Sequence, residues 1–304
     1  MKQSLSVLLS GTVDYAGLFP PAALDMGSAV AAYADYLRDP ARFMLGRFIV
    51  PVARLREFDE AAAAVLPHRD VAGAENPWHI SALTGPDLSA DIDLALKFNC
   101  RHWSGSEIGH ADIDTLEIRA QSRAEIGSAM SAMPSQFTTY FEIPIETDPA
   151  ELLGEIRRTG ARAKARTGGV TADAFPAAQS VARFMLRCRD ERVAFKLTAG
   201  LHHPMRGTHR LTYAPAADLG DMFGYLNAFV AAALAWDGAG EVLLVHALST
   251  RDVHEFEFAD DGFSFRGHHV TLGALRDARS NFIASFGSCS FREPVDELAA
   301  LSLS

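Results

Sequence analysis

Short apolar runs alternate with longer helical runs along the sequence, and the alternation occurs eight times. The apolar runs lie at 6–13, 47–53, 78–85, 114–120, 138–146, 161–169, 193–200 and 285–291. Because a helical run follows each of them, the strands are expected to be parallel and joined by right-handed crossovers. Eight such units in 304 residues predict an α/β fold, the closed (β/α)8 TIM barrel. The first turn lacks the G-x-G-x-x-G pattern that is typical of an open doubly wound sheet.

One stretch is longer than a single crossover needs. Residues 204–284 lie between the seventh and eighth apolar runs and include a helical run at 218–236. Within 254–270, the alternations F-E-F and F-S-F flank a D-D-G turn, which is typical of a β-hairpin. We therefore predict one barrel domain over 1–304, with 204–284 as an insertion that contains a β-hairpin between strands 7 and 8. The pattern leaves open whether the hairpin is a lid or oligomer contact at the barrel mouth or a surface feature without a catalytic part.

Composition and charge limit the expected partners. The net charge of −10 argues against a broad basic surface for nucleic acid, and no run of about twenty apolar residues predicts a membrane span. The three cysteines are far apart and form no C-x-x-C pair, which is typical of a chain in the reducing cytoplasm. The expected partner is a small-molecule substrate. The apolar strip at 222–236 fits either a homodimer contact or burial in the barrel's own helical layer.

Ionisable residues occur on or next to several of the predicted strands. Their acids are Asp14, Glu117 and Glu142, and their cations are Lys164, Arg166 and Lys196. Lys164 and Arg166 are two residues apart, so they face the same side of one strand, where two buried cations are costly unless acids accompany them. Active sites of such barrels form at the carboxyl ends of several strands. Charges of both signs at that end indicate a catalytic site.

Two lysines on consecutive strands suggest a particular chemistry. A neighbouring cation and partial desolvation both lower the pKa of a lysine, and the neutral amine can then attack a carbonyl group. The resulting iminium accepts electrons while a C–C bond is cleaved or formed, and carboxylates transfer the protons. The same residues also fit a second chemistry, in which a lysine removes a proton next to a carboxylate while the acids hold a metal ion.

The segments around these lysines resemble the deoxyribose-phosphate aldolases and their class I aldolase relatives. Lys164 begins K-A-R-T-G-G, which resembles the K-x-x-T-G strand end of that family, and F-K-L-T-A-G around Lys196 is similar to its F-K-x-x-G-G strand. Further similar segments are G-R-F-I-V-P at 46–51, D-I-D-L-A-L at 91–96, I-P-I-E-T at 143–147 and S-F-G-S-C-S at 285–290. The resemblance runs in order along the chain and covers most of 12–202 together with 285–292.

This resemblance implies roles at four positions. Lys164 is expected to form the Schiff base, beside a perturbing Lys196. Glu117 is expected to relay protons, with Asp14 in support. The chain departs from the family at Gly169, where the family has a phosphate-binding lysine, so the resemblance does not carry the substrate over.

Two kinds of substrate contact are expected at the strand ends. Backbone N–H groups of glycine-rich turns can hold a phosphate, whereas arginine or histidine side chains can hold a carboxylate. The expected substrate-binding residues are Arg166, Glu142, Thr167, Gly168, Gly200, His202, His203, Gly287 and Ser288. In each pair of adjacent histidines, at 202–203 and at 268–269, the two side chains face opposite sides of a strand, so each pair offers one metal ligand and not two. Neither a metal site nor a cofactor is therefore expected.

Together these patterns predict a cofactor-free class I aldolase or lyase. Its substrate is expected to be a small carbonyl compound, a sugar phosphate or a keto acid that forms an iminium with Lys164. Two alternatives stay open, a metal-assisted enolising enzyme that uses the same acids and a barrel that binds a metabolite without catalysis.

Overall fold

The computed structural model of the chain describes residues 1–68, 77–104, 109–301 and 303. The strands are β1 (Val13–Tyr15), β2 (Leu45–Pro51), β3 (Trp78–Leu83), β4 (Ala111–Arg119), β5 (Thr138–Glu142), β6 (Arg162–Arg166), β7 (Phe195–Thr198), β8 (Gly207–Arg210), β9 (Leu219–Met222), β10 (Glu257–Phe258), β11 (Gly262–Phe265), β12 (His268–Thr271) and β13 (Ile283–Ser288). The α-helices are α1 (Gln3–Leu9), α2 (Met26–Tyr36), α3 (Leu55–Ala62), α4 (Leu88–Ser104), α5 (Arg123–Ala132), α6 (Ala150–Thr159), α7 (Ala178–Asp190), α8 (Tyr225–Trp236), α9 (Glu241–Ser249), α10 (Leu272–Asn281) and α11 (Arg292–Ala300).

Eight of the strands close into a parallel barrel. They run in the order β1 to β7 and then β13, which pairs with both β7 and β1 and so closes the ring. A helix lies between each pair of consecutive barrel strands, as the alternation in the sequence predicts. The predicted (β/α)8 TIM barrel is therefore confirmed.

Strand β6 illustrates how the alternation of residues directs side chains in this barrel. Ala163 and Ala165 belong to the apolar core that also contains buried residues of α6 and α7. Lys164 lies between them, so its side chain points to the opposite face, into the barrel. The strand begins sharply because Gly160 ends α6 with a φ of 74°, a left-handed conformation that glycine adopts readily.

The first predicted strand is wrong in its position. Residues 3–9 form α1, in which Leu5, Leu8 and Leu9 are buried at helical spacing, and the strand begins only at Val13. Gly11 turns the chain between the two elements with a φ of 62°. A short apolar run does not by itself distinguish a buried helix from a strand, which explains the error.

The hairpin predicted at 254–270 belongs to the three-stranded antiparallel sheet β10–β12, between β7 and β13. This sheet contacts α1, where the backbone N–H groups of Gln3 and Ser4 donate to Asp260 Oδ1 (2.9 Å) and Ala259 O (3.2 Å). Helix α1 leads into the amino end of β1. The sheet therefore lies near the amino end of β1, which favours the surface feature over the lid, the two possibilities that the sequence left open.

A different antiparallel pair, β8–β9, lies at the mouth. It was not predicted, because residues 218–236 read as one helix, whereas 219–222 form β9 and α8 begins at Tyr225. Gly224 separates the two, and a Cβ there would lie 2.4 Å from Met205 Cα. Strand β9 packs near the turn Ala172–Ala174 that follows β6, which places the pair over the strand ends.

Helix α8 is almost entirely apolar, with Asn227 as an exception, and it is buried on all sides. Residues 225–235 are buried within the chain, and only Trp236 at the end of the helix is partly exposed. The apolar strip at 222–236 therefore lies in the barrel's own helical layer and offers no surface for a homodimer. Neither α8 nor any other helix in the described residues has both the length and the apolar character needed to cross a membrane.

Candidate active site

A cavity of about 460 Å³ opens at the carboxyl ends of the barrel strands, the end at which TIM barrels carry their active sites. Its lining includes seven of the predicted residues, Glu117, Lys164, Arg166, Gly168, Gly200, His202 and Gly287. It also includes Arg119, Gly169, Thr198, Cys289 and the apolar side chains of Phe19, Pro20, Pro21, Ile49 and Leu83. Residues from distant parts of the sequence thus meet at one pole, as predicted.

Lys164 lies between two carboxylates at the floor of this cavity. Its Nζ is 2.6 Å from Glu117 Oε2 and 2.7 Å from Glu142 Oε2. Glu142 is its direct register partner on β5, whereas Glu117 reaches it through the barrel interior from β4, two strands away. Lys164 lines the cavity although its side chain is only 5% exposed, so a molecule bound in the cavity would lie against this residue.

Lys196 occupies the register position next to Lys164, on β7. Its Nζ is 3.0 Å from Asp14 Oδ2 and contacts Glu117 Oε1, and it lies 5.1 Å from the centre of the Tyr140 ring. Burial lowers the pKa of Lys196, but the attraction of Asp14 and Glu117 outweighs burial and raises the pKa above its ordinary value. Lys196 is therefore a cation at neutral pH, and it does not line the cavity.

Glu117 joins the two lysines. One carboxylate oxygen contacts Lys164 and the other contacts Lys196, while Ser81 Oγ donates a hydrogen bond of 2.6 Å to Oε1. Burial raises the pKa of Glu117, but the attraction of both lysines outweighs burial and holds the pKa well below its ordinary value. Glu117 is therefore ionised at neutral pH, and its charge offsets the repulsion between the lysines.

Asp14 holds Lys196 from the other side. Ser285 Oγ donates a hydrogen bond of 2.6 Å to Asp14 Oδ2, and the backbone N–H of Arg47 donates one of 2.9 Å to Oδ1. Asp14 is buried and does not line the cavity. Its contacts therefore fit the predicted supporting position and not a contact with substrate.

Glu142 connects Lys164 to two arginines at the mouth. Arg166 lies 3.1 Å from Glu142 Oε1 through Nη2, and Arg119 Nε lies 3.8 Å from the same oxygen. Burial raises the pKa of Glu142, but the attraction of Lys164, with that of the two arginines, lowers the pKa below its ordinary value. The exposed guanidinium groups of Arg119 and Arg166 line the cavity and can present N–H donors to an anion there.

The loops after β6 and β7 pack too closely for side chains at their glycines. A Cβ on Gly168 would lie 2.8 Å from Gly200 Cα, and Gly200 has a φ of 75°. Thr167 Oγ1 donates a hydrogen bond of 2.7 Å to Ala199 O and so ties the two loops together. Gly168 and Gly200 thus form part of the cavity wall, whereas Thr167 does not line the cavity.

Of the two histidines predicted to bind substrate, only His202 lines the cavity. Burial, with smaller effects of His203 and His209, lowers the pKa of His202 to about 4, so its imidazole is neutral at pH 7. His203 turns away from the cavity, with Nδ1 2.8 Å from Glu297 Oε2 and its ring stacked on His209. Ser288 is buried with Oγ 3.5 Å from His202 Nδ1 and does not line the cavity.

A larger cavity, of about 950 Å³, opens near the amino ends of β2, β3 and β4. Within its lining, Asp114 accepts hydrogen bonds from Arg47 Nε (2.6 Å) and Nη2 (2.9 Å) and contacts His79 Nδ1 at 3.1 Å. This cavity holds neither of the barrel's two lysines. The smaller cavity is therefore the candidate active site.

Sequence reasoning missed some residues of the mouth. Arg119 was not assigned to the substrate, although its spacing of two residues from Glu117 places both on one strand face. Glu293 and Glu297 were not assigned at all, because their spacing on α11 is that of any exposed helix face. Only the closure of the barrel brings α11 next to His203.

Comparison of the chain with protein-family models, with curated protein sequences and with solved structures found no match. The fold is therefore assigned from the strand topology of the chain itself, which is a closed parallel barrel. Barrels of this type are common among enzymes. The resemblance to class I aldolases stays a prediction from the motifs around Lys164 and Lys196.

Proposed function

We propose that the chain is a class I lyase, which forms or cleaves a C–C bond of a small carbonyl compound through an iminium on Lys164. One observation carries this proposal: Lys164 lines the cavity at the strand ends, and its Nζ lies 2.6 Å and 2.7 Å from two carboxylates. The motif resemblance to the deoxyribose-phosphate aldolases supports the same residue for the same role.

Access to the cavity distinguishes the two lysines. Lys164 lines the cavity, whereas Lys196 lies beneath it, in contact with Asp14 and Glu117. A nucleophile has to reach the carbonyl carbon of its substrate, so Lys164 is the better candidate. Lys196 then acts as a fixed cation next to the reacting nitrogen.

The surroundings of Lys164 favour an iminium. The neutral amine adds to the carbonyl carbon and the N–C bond forms. The carbonyl oxygen takes one proton from that nitrogen and one from solvent, and it leaves as water. The iminium nitrogen is cationic, so Glu117 and Glu142 attract it as they attract the ammonium. When the C–C bond breaks, its electron pair passes to the iminium, which becomes an enamine, while the hydroxyl group of the departing fragment loses its proton and becomes a carbonyl group. The enamine then takes up a proton on carbon, and water hydrolyses the resulting iminium and restores the amine.

Glu142 is the better placed of the two carboxylates to take the proton that the Lys164 ammonium loses. The Glu142 side chain is 13% exposed and that of Glu117 is 2% exposed. Glu142 also borders a depression on the surface together with Arg119 and Arg166, so its proton can pass to solvent. Glu117 is the more buried of the two, and the two buried lysines hold its pKa well below the ordinary value, so it is harder to protonate.

The charges at the mouth indicate a substrate with an anionic group. Arg119 and Arg166 line the cavity, and guanidinium groups bind carboxylate and phosphate in the same bidentate way. The glycine-rich loops at Gly168 and Gly200 supply backbone at the same rim. A volume of about 460 Å³ suits a small molecule, so a keto acid or a sugar phosphate is the proposed class of substrate.

The two alternatives are less well supported. Metal-assisted enolisation by the same acids requires a metal ion to displace lysines, because Asp14, Glu117 and Glu142 all contact an ammonium group. A barrel that only binds a metabolite has no need for two buried lysines, and burial costs several kcal/mol for each ion.

The small number of lysines makes the proposal directly testable. The chain has four, Lys2, Lys97, Lys164 and Lys196. The protein is incubated with pyruvate, acetaldehyde or a pentose phosphate, then reduced with borohydride, and the added mass is mapped on peptides. We expect a substrate adduct on Lys164, none there in Lys164→Met, and the same adduct in Lys97→Arg, which changes an exposed lysine. Adducts confined to Lys2, Lys97 and the terminal amine would overturn the proposal.

A further inference from the structure

We propose that a zinc ion binds at the rim of the mouth, held by His203, Glu293 and Glu297. One ligand atom from each of these residues lies within 4.8 Å of the other two. His203 Nδ1 and Glu297 Oε2 are already 2.8 Å apart. Ligands at 2.0–2.2 Å from a tetrahedral zinc ion lie about 3.5 Å from one another, a spacing between these two distances.

The backbone around this site is fixed by a single residue at the start of α8. The N–H of Tyr225 donates a hydrogen bond of 2.9 Å to His203 O, and its phenol donates one of 2.8 Å to Pro294 O on α11. Both sides of the site are therefore anchored to the same buried tyrosine. Glu293 and Glu297 are four residues apart on α11, so they share the face of the helix that meets His203.

The charge of the site favours a cation. In the parts of the chain that the structure describes, Glu293 and Glu297 have no ion pair with lysine or arginine. Their polar partners are His202 (3.5 Å), His203 (2.8 Å) and Tyr213 Oη (3.2 Å). Two neighbouring carboxylates beside a buried imidazole form a donor set that suits zinc better than magnesium or calcium, which prefer oxygen ligands alone.

Three protein ligands leave the fourth position of a tetrahedral zinc ion to water. The ring of His209, on the hairpin β8–β9, stacks on His203 with 3.4 Å between ring centres and so limits its rotation. The ion would hold α11 to the segment that carries His202 into the cavity. It would thus fix the rim of the candidate active site, while Lys164 and its acids lie outside the zinc site.

The test uses the full chain and measures metal instead of turnover, so its result does not depend on the proposed lyase activity. Protein freed of metal with a chelator is titrated with zinc chloride by calorimetry, and cobalt chloride provides a visible absorption spectrum of the same site. We expect one ion per chain. Glu293→Gln and Glu297→Gln are each expected to weaken binding at least about 10-fold, since even second-shell changes weaken metal sites about 10- to 100-fold.

The matched control is His268→Asn. His268 Nε2 lies 2.8 Å from Asp237 Oδ2, a histidine–carboxylate pair for which the described residues offer no third ligand, so zinc affinity should be unchanged. The Glu297 side chain is 42% exposed, and its replacement by glutamine should not prevent folding, which thermal unfolding checks. Less than one ion per chain, or equal affinity in the wild type and both glutamine variants, would overturn the proposal.

Discussion

Lys164 and Lys196 are direct register partners on neighbouring strands, and their ammonium groups contact the two oxygens of one carboxylate. That carboxylate belongs to Glu117, on a third strand. Two lysines side by side in a barrel interior repel each other, and the acid between them offsets this repulsion. Both the stability of the barrel and the proposed chemistry of Lys164 therefore depend on Glu117.

Replacement of Glu117 by glutamine is expected to destabilise the protein strongly. The amide keeps the shape of the side chain but removes the charge that both lysines contact. Loss of one member of a buried ion pair costs about 3–5 kcal/mol, so the free energy of unfolding should fall by that amount. Urea unfolding at pH 7 measures the change. Glu151→Gln on the exposed face of α6 is the control, and a loss for Glu117→Gln as small as that of the control would contradict the prediction.

The pKa directions predict how the stability depends on pH. The pKa of Glu117 is lower in the folded chain than its ordinary value of about 4.3, so its contribution is complete above that pH and is lost as the pH falls further. The pKa of Lys196 is raised above about 10.4, so its contribution is complete below that pH and is lost as the pH rises through the folded value.

The measurement is the free energy of unfolding in urea at a series of pH values from 3 to 7. We expect a plateau near neutral pH and a decline below about pH 4.3 for the wild type. Glu117→Gln lacks the titrating group, so its free energy of unfolding should decline less steeply at acid pH. An equally steep decline in both proteins would show that Glu117 does not contribute to it.

The sequence predicted the barrel because eight alternations leave few other folds, and it predicted the charged residues because alternation along a strand is a local property. Register is not local. Lys164 lies beside Lys196, and Glu117 contacts both, because of the way the strands align with one another. The sequence of a single strand does not determine that alignment. The hairpin β8–β9 was missed for a related reason, because 219–222 became a strand through pairing with 207–210.

Arg166 is expected to select substrates that carry an anionic group. In Arg166→Gln, the yield of the borohydride adduct on Lys164 should fall about 10- to 100-fold for pyruvate, since a charge-assisted hydrogen bond contributes about 1.5–3 kcal/mol. For acetaldehyde, which has no anionic group, the yield should change little. Mass spectrometry measures, for each compound, the ratio of the adduct yield in Arg166→Gln to that in the wild type.

The control for this comparison is Arg187→Gln on α7, where the guanidinium pairs with Asp148 at the surface. Its adduct yields should match those of the wild type for both compounds. An equal loss of both adducts in Arg166→Gln would mean that this residue supports Lys164 through Glu142 and does not recognise the substrate.

Alanine at two glycines is expected to change the stability in opposite directions. Gly200 has a φ of 75°, and a Cβ there would lie 2.7 Å from the Phe175 ring and 2.9 Å from Gly168 Cα. Gly200→Ala should therefore reduce the free energy of unfolding by about 1–3 kcal/mol, and it should slow adduct formation on Lys164 because the cavity wall moves.

Gly154, in the interior of α6, has no atom within 4 Å of the position that a Cβ would take. Gly154→Ala should raise the free energy of unfolding by about 0.5–1 kcal/mol, because alanine loses less conformational entropy than glycine in a helix, and adduct formation should not change. Thermal and urea unfolding of both variants check the signs. If Gly200→Ala changed neither the free energy of unfolding nor adduct formation on Lys164, the loops after β6 and β7 would not be packed as closely as the cavity wall requires.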